Sequence, residues 1–258
     1  RGPWSHRNLL LTTQVAACLL LLAIAGLLFR GASHAVTTDP GFDAKHLFLL
    51  RLNSDAAAPT TAGRQAILKE TFTRISVLPE VDRVTWAERA PYLGHSIQPF
   101  ETDEGRWVNG CVKTNVAANY FETLGISLVA GRSFTEQEQE TRAPVMVISQ
   151  SAAHQLWPGK NPLGRRLVSL KQNRDGSKSS FVVIGVVRDA RLTLLSQVDK
   201  IDLFFPRPLS TDATLLVHTR LPPTVAFQST FATLRDVNPT LPTQALLMSM
   251  EGGPMQLQ

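Results

Sequence analysis

Residues Asn8 to Phe29, NLLLTTQVAACLLLLAIAGLLF, form an unbroken stretch without a charged side chain. A helix rises about 1.5 Å per residue, so this stretch covers roughly 30 Å, the hydrocarbon thickness of a bilayer. Leu, Ala and Ile dominate it, and all propagate a helix well. Thr12, Thr13 and Gln14 are polar but uncharged, and can bond within the helix or to a neighbouring helix. Two other readings compete with a membrane span. A buried core helix is rarely apolar on all sides for this length. A cleaved signal peptide has a shorter apolar region, roughly 7–15 residues, followed by a small-x-small cleavage site. Here Arg30 follows the run directly, although GASHA at 31–35 leaves room for cleavage. A spanning helix is the expectation.

The net charge of +5 and pI near 9.6 suggest nucleic acid only until the charges are placed. Residues 1–30 hold Arg1, Arg7 and Arg30 and no acid, which leaves 23 basic against 21 acidic residues elsewhere. The basic excess therefore belongs mostly to the flanks of the apolar run, and no nucleic-acid partner is expected. Arg1 and Arg7, with His6, put the N-terminus on the cytoplasmic side by the positive-inside rule. Residues from about 31 onward then lie outside the inner membrane, by a small margin because Arg30 sits on the other flank. The two cysteines, Cys18 and Cys111, cannot meet within one chain if the helix spans, so no disulfide framework is built. The chain starts at Arg1 and stops at Gln258 shortly after a hydrophobic run, as expected for a piece of a longer protein.

Past a polar stretch, GASHAVTTDPGFDAKH (31–46), read as a loop, HLFLLRLN (46–53) is a short apolar run that predicts a buried strand. A Pro/Thr/Gly-rich loop at 59–63 follows. Leu68, Phe72, Ile75 and Leu78 make one stripe on a helix over 64–78, stopped at Pro79. DRVTWAERA (82–90) predicts a second strand. A similar unit closes the chain: the strand TLLVHT (214–219), a helix opened by Pro222-Pro223 and striped by Phe227, Phe231, Leu234 and Val237 up to Asn238-Pro239, and the strand QALLMSM (244–250). TFTRISVLPEV beside TFATLRDVNPTL makes a weak internal repeat. Two such units, each too small to bury its own face, would share a four-stranded sheet with two helices on one side.

The intervening 91–213 reads as mostly β. RWVNGCVK (106–113), PVMVIS (144–149), RRLVSL (165–170), SFVVIGVV (180–187) and DLFFP (202–206) predict strands, with the third and fourth forming a hairpin across KQNRDGSKS. ANYFETLG (118–125) predicts a short helix closed by Gly125, followed by extended ISLVAGRSF. Thr135 and Glu138 fit a capping box, and Ser149 caps a helix over 150–157.

The most chemical-looking segment is WPGKNPLGRRL (157–167). A Walker-type phosphate loop needs G-x-x-x-x-G-K-[ST] between a strand and a long helix. Here the lysine precedes the second glycine, no Ser or Thr follows, and the next element reads as a strand. Two prolines remove backbone donors that a phosphate cradle needs. The segment reads as a helix stop followed by turns at Gly159 and Gly164. The six histidines, 6, 34, 46, 95, 154 and 218, have no His or Cys at i+3 or i+4. His95 near Glu101, Asp103 and Glu104 reads as a polar loop that could attract a cation but is more simply solvated. TEQEQE (135–140) reads as the first turn of a helix or a solvated loop. With no G-x-S-x-G, H-E-x-x-H or S-x-x-K, no catalytic, cofactor-binding or metal-binding residue is assigned, and no enzymatic activity is expected.

The ordered series GLLFRG, DPGFDAKHLFLLRL, LPEVDRVTWAERAPY, NVAANYFETLGISLVAGRSF, APVMVISQSAAHQLWPGKNPLGRRL and FVVIGVVRDAR resembles the periplasmic core domain of MacB/FtsX-like ABC transporter permeases, from about Asn8 to Met250. It is similar in particular to orphan permeases that carry the unit in duplicate. The most specific parts are NYFETLGISLVAGRSF (119–134) and WPGKNPLGRRL (157–167). The resemblance implies an α+β chain: one N-terminal transmembrane helix, then a two-lobed periplasmic domain. A porter-like βαβ-βαβ sheet with two helices would be interrupted by a mostly β insertion lobe. The divisions would be 1–30 for the transmembrane helix with its cytoplasmic flank, 31–90 and 214–250 for the two βαβ halves, 91–213 for the insertion, and 251–258 for a link toward the next transmembrane helix. It implies three further transmembrane helices, a bacterial inner-membrane location, an ABC ATPase subunit or domain that binds ATP, action as a homodimer or paired permease, and envelope partner proteins. Neither Walker A nor an LSGGQ-type signature is present, so no cofactor is expected on this chain. The family often has an acid where Lys160 stands, so no role is given to that charge. The expected function is to couple ATP-driven transmembrane motion to the envelope, for export or mechanotransmission. A single-span anchored binding or sensor module is the alternative. An anchored hydrolase would need His95 or His154 joined to a serine and a carboxylate.

Overall fold

The computed structural model describes residues 6–37, 39–52, 58, 60–172, 176–192, 201–237, 243–249 and 253–256. The Asn238-Pro239 helix stop and part of the loop KQNRDGSKS lie outside these. Contacts divide the chain into two units, Arg1–Thr38 and Asp39–Gln258. The first is one helix, α1 (His6–Thr37). Its stretch Leu10–Arg30 is long and apolar enough to cross a membrane, and none of it is buried, which removes the core-helix reading. The loop expected from residue 31 begins later. A single glycine, Gly31, costs an established helix only about 1 kcal/mol, and the alanines beyond it propagate the helix. Helix persists to Thr37, and Pro40 follows soon after. At 32 residues α1 is about 48 Å long.

In chain order the second unit comprises β1 (Leu47–Leu52), α2 (Thr61–Ser76), β2 (Val81–Ala87), β3 (Ser96–Thr102), β4 (Trp107–Val116), α3 (Tyr120–Leu124), β5 (Leu128–Gly131), α4 (Glu136–Thr141), β6 (Val145–Ser149), α5 (Gln150–Leu156), β7 (Arg166–Gln172), β8 (Lys178–Val187), β9 (Asp202–Pro206), β10 (Thr214–Thr219), α6 (Pro223–Val237), β11 (Thr243–Ser249) and β12 (Gly253–Gln256). The strands β11-β1-β10-β2 lie side by side, each antiparallel to its neighbour. β1 and β2 are therefore parallel with β10 between them, a split strand–helix–strand unit. α2 and α6 pack against one face of this sheet, where Phe48, Leu50, Leu68, Ile75, Trp86, Leu215, Val217 and Leu234 form a core. Leu47, Leu49 and Leu216 point the other way into a second core. Both faces of β1 are covered, which explains an apolar run with no polar alternation.

Some boundaries differ from expectation. α2 starts at Thr61 because the Thr60 hydroxyl accepts from the Gly63 amide, so part of the expected 59–63 loop is the first helical turn. β3 has no counterpart among the expected strands. Pro99 falls at a register shift opposite β4, the place where a strand tolerates a residue with no N–H. The stretch 251–258, read as a link, contributes β12, paired to β11.

Beyond β2 the sheet passes to β4 through one ladder pair, Ala87 with Val116. The remaining strands run β4-β3-β7-β8-β6-β9, with β9 also parallel to β4 and β5 on β8. Phe100, Met146, Leu156, Trp157, Leu167, Phe181 and Phe205 fill the core between these strands and α5.

Candidate functional site

The two segments singled out by resemblance are built into the packing of the fold. In the first, Tyr120, Phe121 and Leu124 of α3 are buried in the core that holds Leu47, Leu49 and Leu216 of β1 and β10 together with Val147 and Phe204 of β6 and β9. α3 is thus a wedge between the split-unit sheet and the strands that follow it. Polar contacts fix it. The Asn119 amide donates to the Val84 carbonyl (2.9 Å), its carbonyl accepts from Thr85 (2.8 Å), and the Asp43 amide donates to the Leu124 carbonyl (2.9 Å). Gly125 closes the helix at φ 69°, as a left-handed cap requires. Further on, Gly131 pairs with Gly185 across β5 and β8. A Cβ on Gly131 would lie 2.2 Å from the Ile184 carbonyl oxygen, and one on Gly185 would lie 2.3 Å from that of Arg132. Only glycines allow the two backbones so close.

The predicted capping box is present: the Thr135 hydroxyl accepts from the Glu138 amide, and the Glu138 carboxylate accepts from the Thr135 amide. Arg132 pairs with Glu138 at 2.6 Å. The Arg132 hydrogen bonds hold the Glu138 carboxyl at about 2, outweighing the upward push of burial, with Thr135 adding to them. A carboxyl depressed in the folded state stabilises fully above its unfolded pKa and loses that contribution as pH falls through the folded value. The stability gap between wild type and Glu138→Gln is expected to be open at pH 6 and to narrow from about pH 4.5 toward pH 2, as read by urea unfolding across that range.

In the second segment Trp157 is 1% exposed, and its indole N–H donates to Asp103 (2.9 Å) in the β3–β4 turn. Lys160 donates to Glu104 (2.6 Å), and Arg165 reaches Glu104 (2.7 Å) and Asp103 (3.4 Å). Arg106 ends α5 by donating to the Gln155 and Leu156 carbonyls. Gly159 and Gly164 take positive φ, as the expected turns require. Two of the segment's cations, Lys160 and Arg165, are thus paired with acids of the neighbouring turn.

The alternative of a cation-attracting loop around His95 is not formed. β3 separates His95 from Glu101 by most of its length, roughly 15–20 Å at strand rise, while Asp103 and Glu104 bind Trp157, Lys160 and Arg165. His95 instead lines a cavity of about 10 Å³ with Arg89, Tyr120 and Asp202, room for about one water. Ser151 bonds Asp189 (2.8 Å), but His154 is exposed and bonds to neither. Burial pushes the Cys111 thiol up to about 12, far from a nucleophile. Among the described residues no nucleophile–base pair is assembled.

The fold does join residues that spacing left apart. Asp43 and His46 precede β1, and His218 follows 175 positions after Asp43. The pairing of Leu47 with His218 sets the two imidazoles side by side, with ring centroids 5.9 Å apart. The D-x-x-H of 43–46 is the cue in the sequence, and a spacing rule confined to His and Cys partners passes over it.

The profile of the MacB-like periplasmic core domain matches residues 15–240. The chain belongs to that family. The probable syringafactin export ATP-binding/permease protein SyfD of Pseudomonas syringae pv. tomato is 24% identical over 190 residues, which cover 72% of this chain and 26% of SyfD. The macrolide export ATP-binding/permease protein MacB of Aggregatibacter actinomycetemcomitans is 32% identical over 77 residues, 30% of this chain and 11% of that protein. The chain thus spans about a quarter or less of these relatives. The solved periplasmic region of MacB from Actinobacillus actinomycetemcomitans shares the fold with TM-score 0.57 at 17% identity, covering 81% of this chain and 91% of that one. The extracellular domain of the noncanonic ABC-type transporter YknZ from Gram-positive bacteria superposes with TM-score 0.51 at 14% identity, covering 81% and 99%. In this MacB-like periplasmic core domain, accordingly, an apolar helix long enough to span a membrane precedes a β-rich extracytoplasmic fold.

Proposed function

We propose that the chain is the first span and extracytoplasmic part of an ABC-type permease, and that it transmits ATP-driven movement of transmembrane helices to the envelope for export or mechanotransmission. ATP is bound and hydrolysed by a separate domain or subunit. The permease acts as a pair, with envelope proteins as further partners, in a bacterial inner membrane with residues from about 31 onward in the periplasm. Segments 31–90 and 214–250 act as one lobe and 91–213 as the other.

The observation that supports this reading most is the wedge α3. It buries aromatic side chains against both sets of strands, and packed joints of this kind shift between discrete arrangements rather than bending softly. The reading is tested on the full-length permease with its ATPase in lipid nanodiscs. Hydrogen exchange is compared with and without ATP and with a non-hydrolysable analogue. Nucleotide is expected to change protection in 118–126 and 39–52. Unchanged protection across the whole extracytoplasmic domain overturns coupling and favours the anchored sensor module.

A further inference from the structure

Four side chains converge at one end of the split-unit sheet, where the Asp43 backbone also meets the wedge α3. The Asp43 carboxylate lies 2.9 Å from His46 Nδ1 and 3.2 Å from His218 Nε2. One ligand atom from each of the three residues falls within 4.8 Å of the others. His218 is largely covered, at 18% exposure, whereas His46 and Asp43 are open to solvent at 48% and 37%. On the far side of the His218 ring, Nδ1 faces the Asp82 carboxylate at 3.3 Å, yet without the alignment of a hydrogen bond, so this buried nitrogen has no satisfied partner. Arg83 and Arg220 flank Asp82 at 3.8 and 3.5 Å. Asp82 owes its place to an irregularity in the ladder. Along β10 one step from His218 to Thr219 corresponds on β2 to two, from Arg83 to Val81. Asp82 is the extra residue, and such bulges re-aim side chains.

We propose that Asp43, His46 and His218 form a binding site for a divalent transition metal of the zinc class. Two imidazoles and a carboxylate are borderline ligands that suit zinc rather than calcium or magnesium. In a tetrahedral site with bonds near 2.0–2.1 Å, neighbouring donor atoms stand about 3.3 Å apart, so the two carboxylate–imidazole spacings must open by a few tenths of an ångström, while the two imidazole nitrogens, within 4.8 Å of each other, close by up to about 1.5 Å. Asp82, 3.3 Å behind His218, needs realignment of the ring to become the carboxylate that fixes the tautomer of a metal-bound imidazole. The fourth position opens to solvent beside His46. The bound ion would clip the segment ahead of β1 to the end of β10.

The test is titration of the full chain in detergent with Zn²⁺, followed by calorimetry, and with Co²⁺, followed by its ligand-field absorption. One equivalent is expected to bind, with tetrahedral cobalt bands. His46→Ala removes an exposed ligand without threatening the fold and is expected to abolish binding, as are Asp43→Asn and His218→Ala. Asp82→Asn is expected to weaken it about 10–100-fold, and His154→Ala to leave it unchanged. Absence of stoichiometric binding by the wild type, or binding that survives His46→Ala and Asp43→Asn, overturns the assignment.

Discussion

Trp157→Ala is expected to destabilise the extracytoplasmic domain by about 3–5 kcal/mol, the range for deleting a buried large aromatic side chain. For a domain of this size that corresponds to a fall in melting temperature of roughly 6–20 °C. Trp157 is among the largest fully buried side chains and closes the core shared by Phe100, Leu156, Phe181 and Phe205. Its loss leaves a cavity and removes the indole hydrogen bond to Asp103. Trp157→Phe separates the two contributions. It keeps most of the packing and should cost the net value of the hydrogen bond and a small void, about 1–3 kcal/mol. Urea unfolding followed by circular dichroism measures both variants. A Trp157→Ala loss below about 1 kcal/mol would mean that the WPGKNPLGRRL turn is not the structural brace described.

The second large effect is expected where β5 crosses β8. Gly185→Ala places a methyl group 2.3 Å from a backbone carbonyl oxygen that no rotamer can move, and should cost about 1–3 kcal/mol. Gly131→Ala meets the same obstruction from the other strand at φ 75° and carries roughly 1–2 kcal/mol more for the left-handed backbone. The two substitutions should be non-additive, because separating the strands for one methyl group also makes room for the other. The double variant is therefore expected to lose clearly less than the sum of the singles in the same unfolding assay. Simple additivity would show that the two clashes relax independently.

Much of the fold could be read from local pattern because local physics decides it. TLLVHT is a strand with the expected bounds, Gly125 and the Thr135–Glu138 box end and start their helices as their chemistry demands, and Ser149 caps α5. Misreadings arise where two local signals conflict. Pro-Thr-Thr-Ala-Gly reads as a loop, yet one threonine hydroxyl on one amide is enough to start α2. Pro99 masked β3, since a proline argues against a strand unless a register shift excuses its missing donor. The site is less legible than the fold. The partners of Lys160 and Arg165 lie more than fifty positions earlier, and His218 meets Asp43 only through strand pairing. No periodicity or spacing rule reaches across such separations.

β1 owes both its neighbours, β10 and β11, to residues beyond 213, and β2 gains β10 equally late. During synthesis the segment LFLLRL therefore emerges early and waits with two unsatisfied edges until β10 and β11 have followed. An apolar strand in that position is a template for wrong pairing, and ring closure over such a separation slows the search. Closure of the split-unit sheet thus waits for β10 and β11. Truncation before β10 leaves β3 to β9 with their own partners but strips β1 of both neighbours, so the bare apolar edge is confined to the first strand.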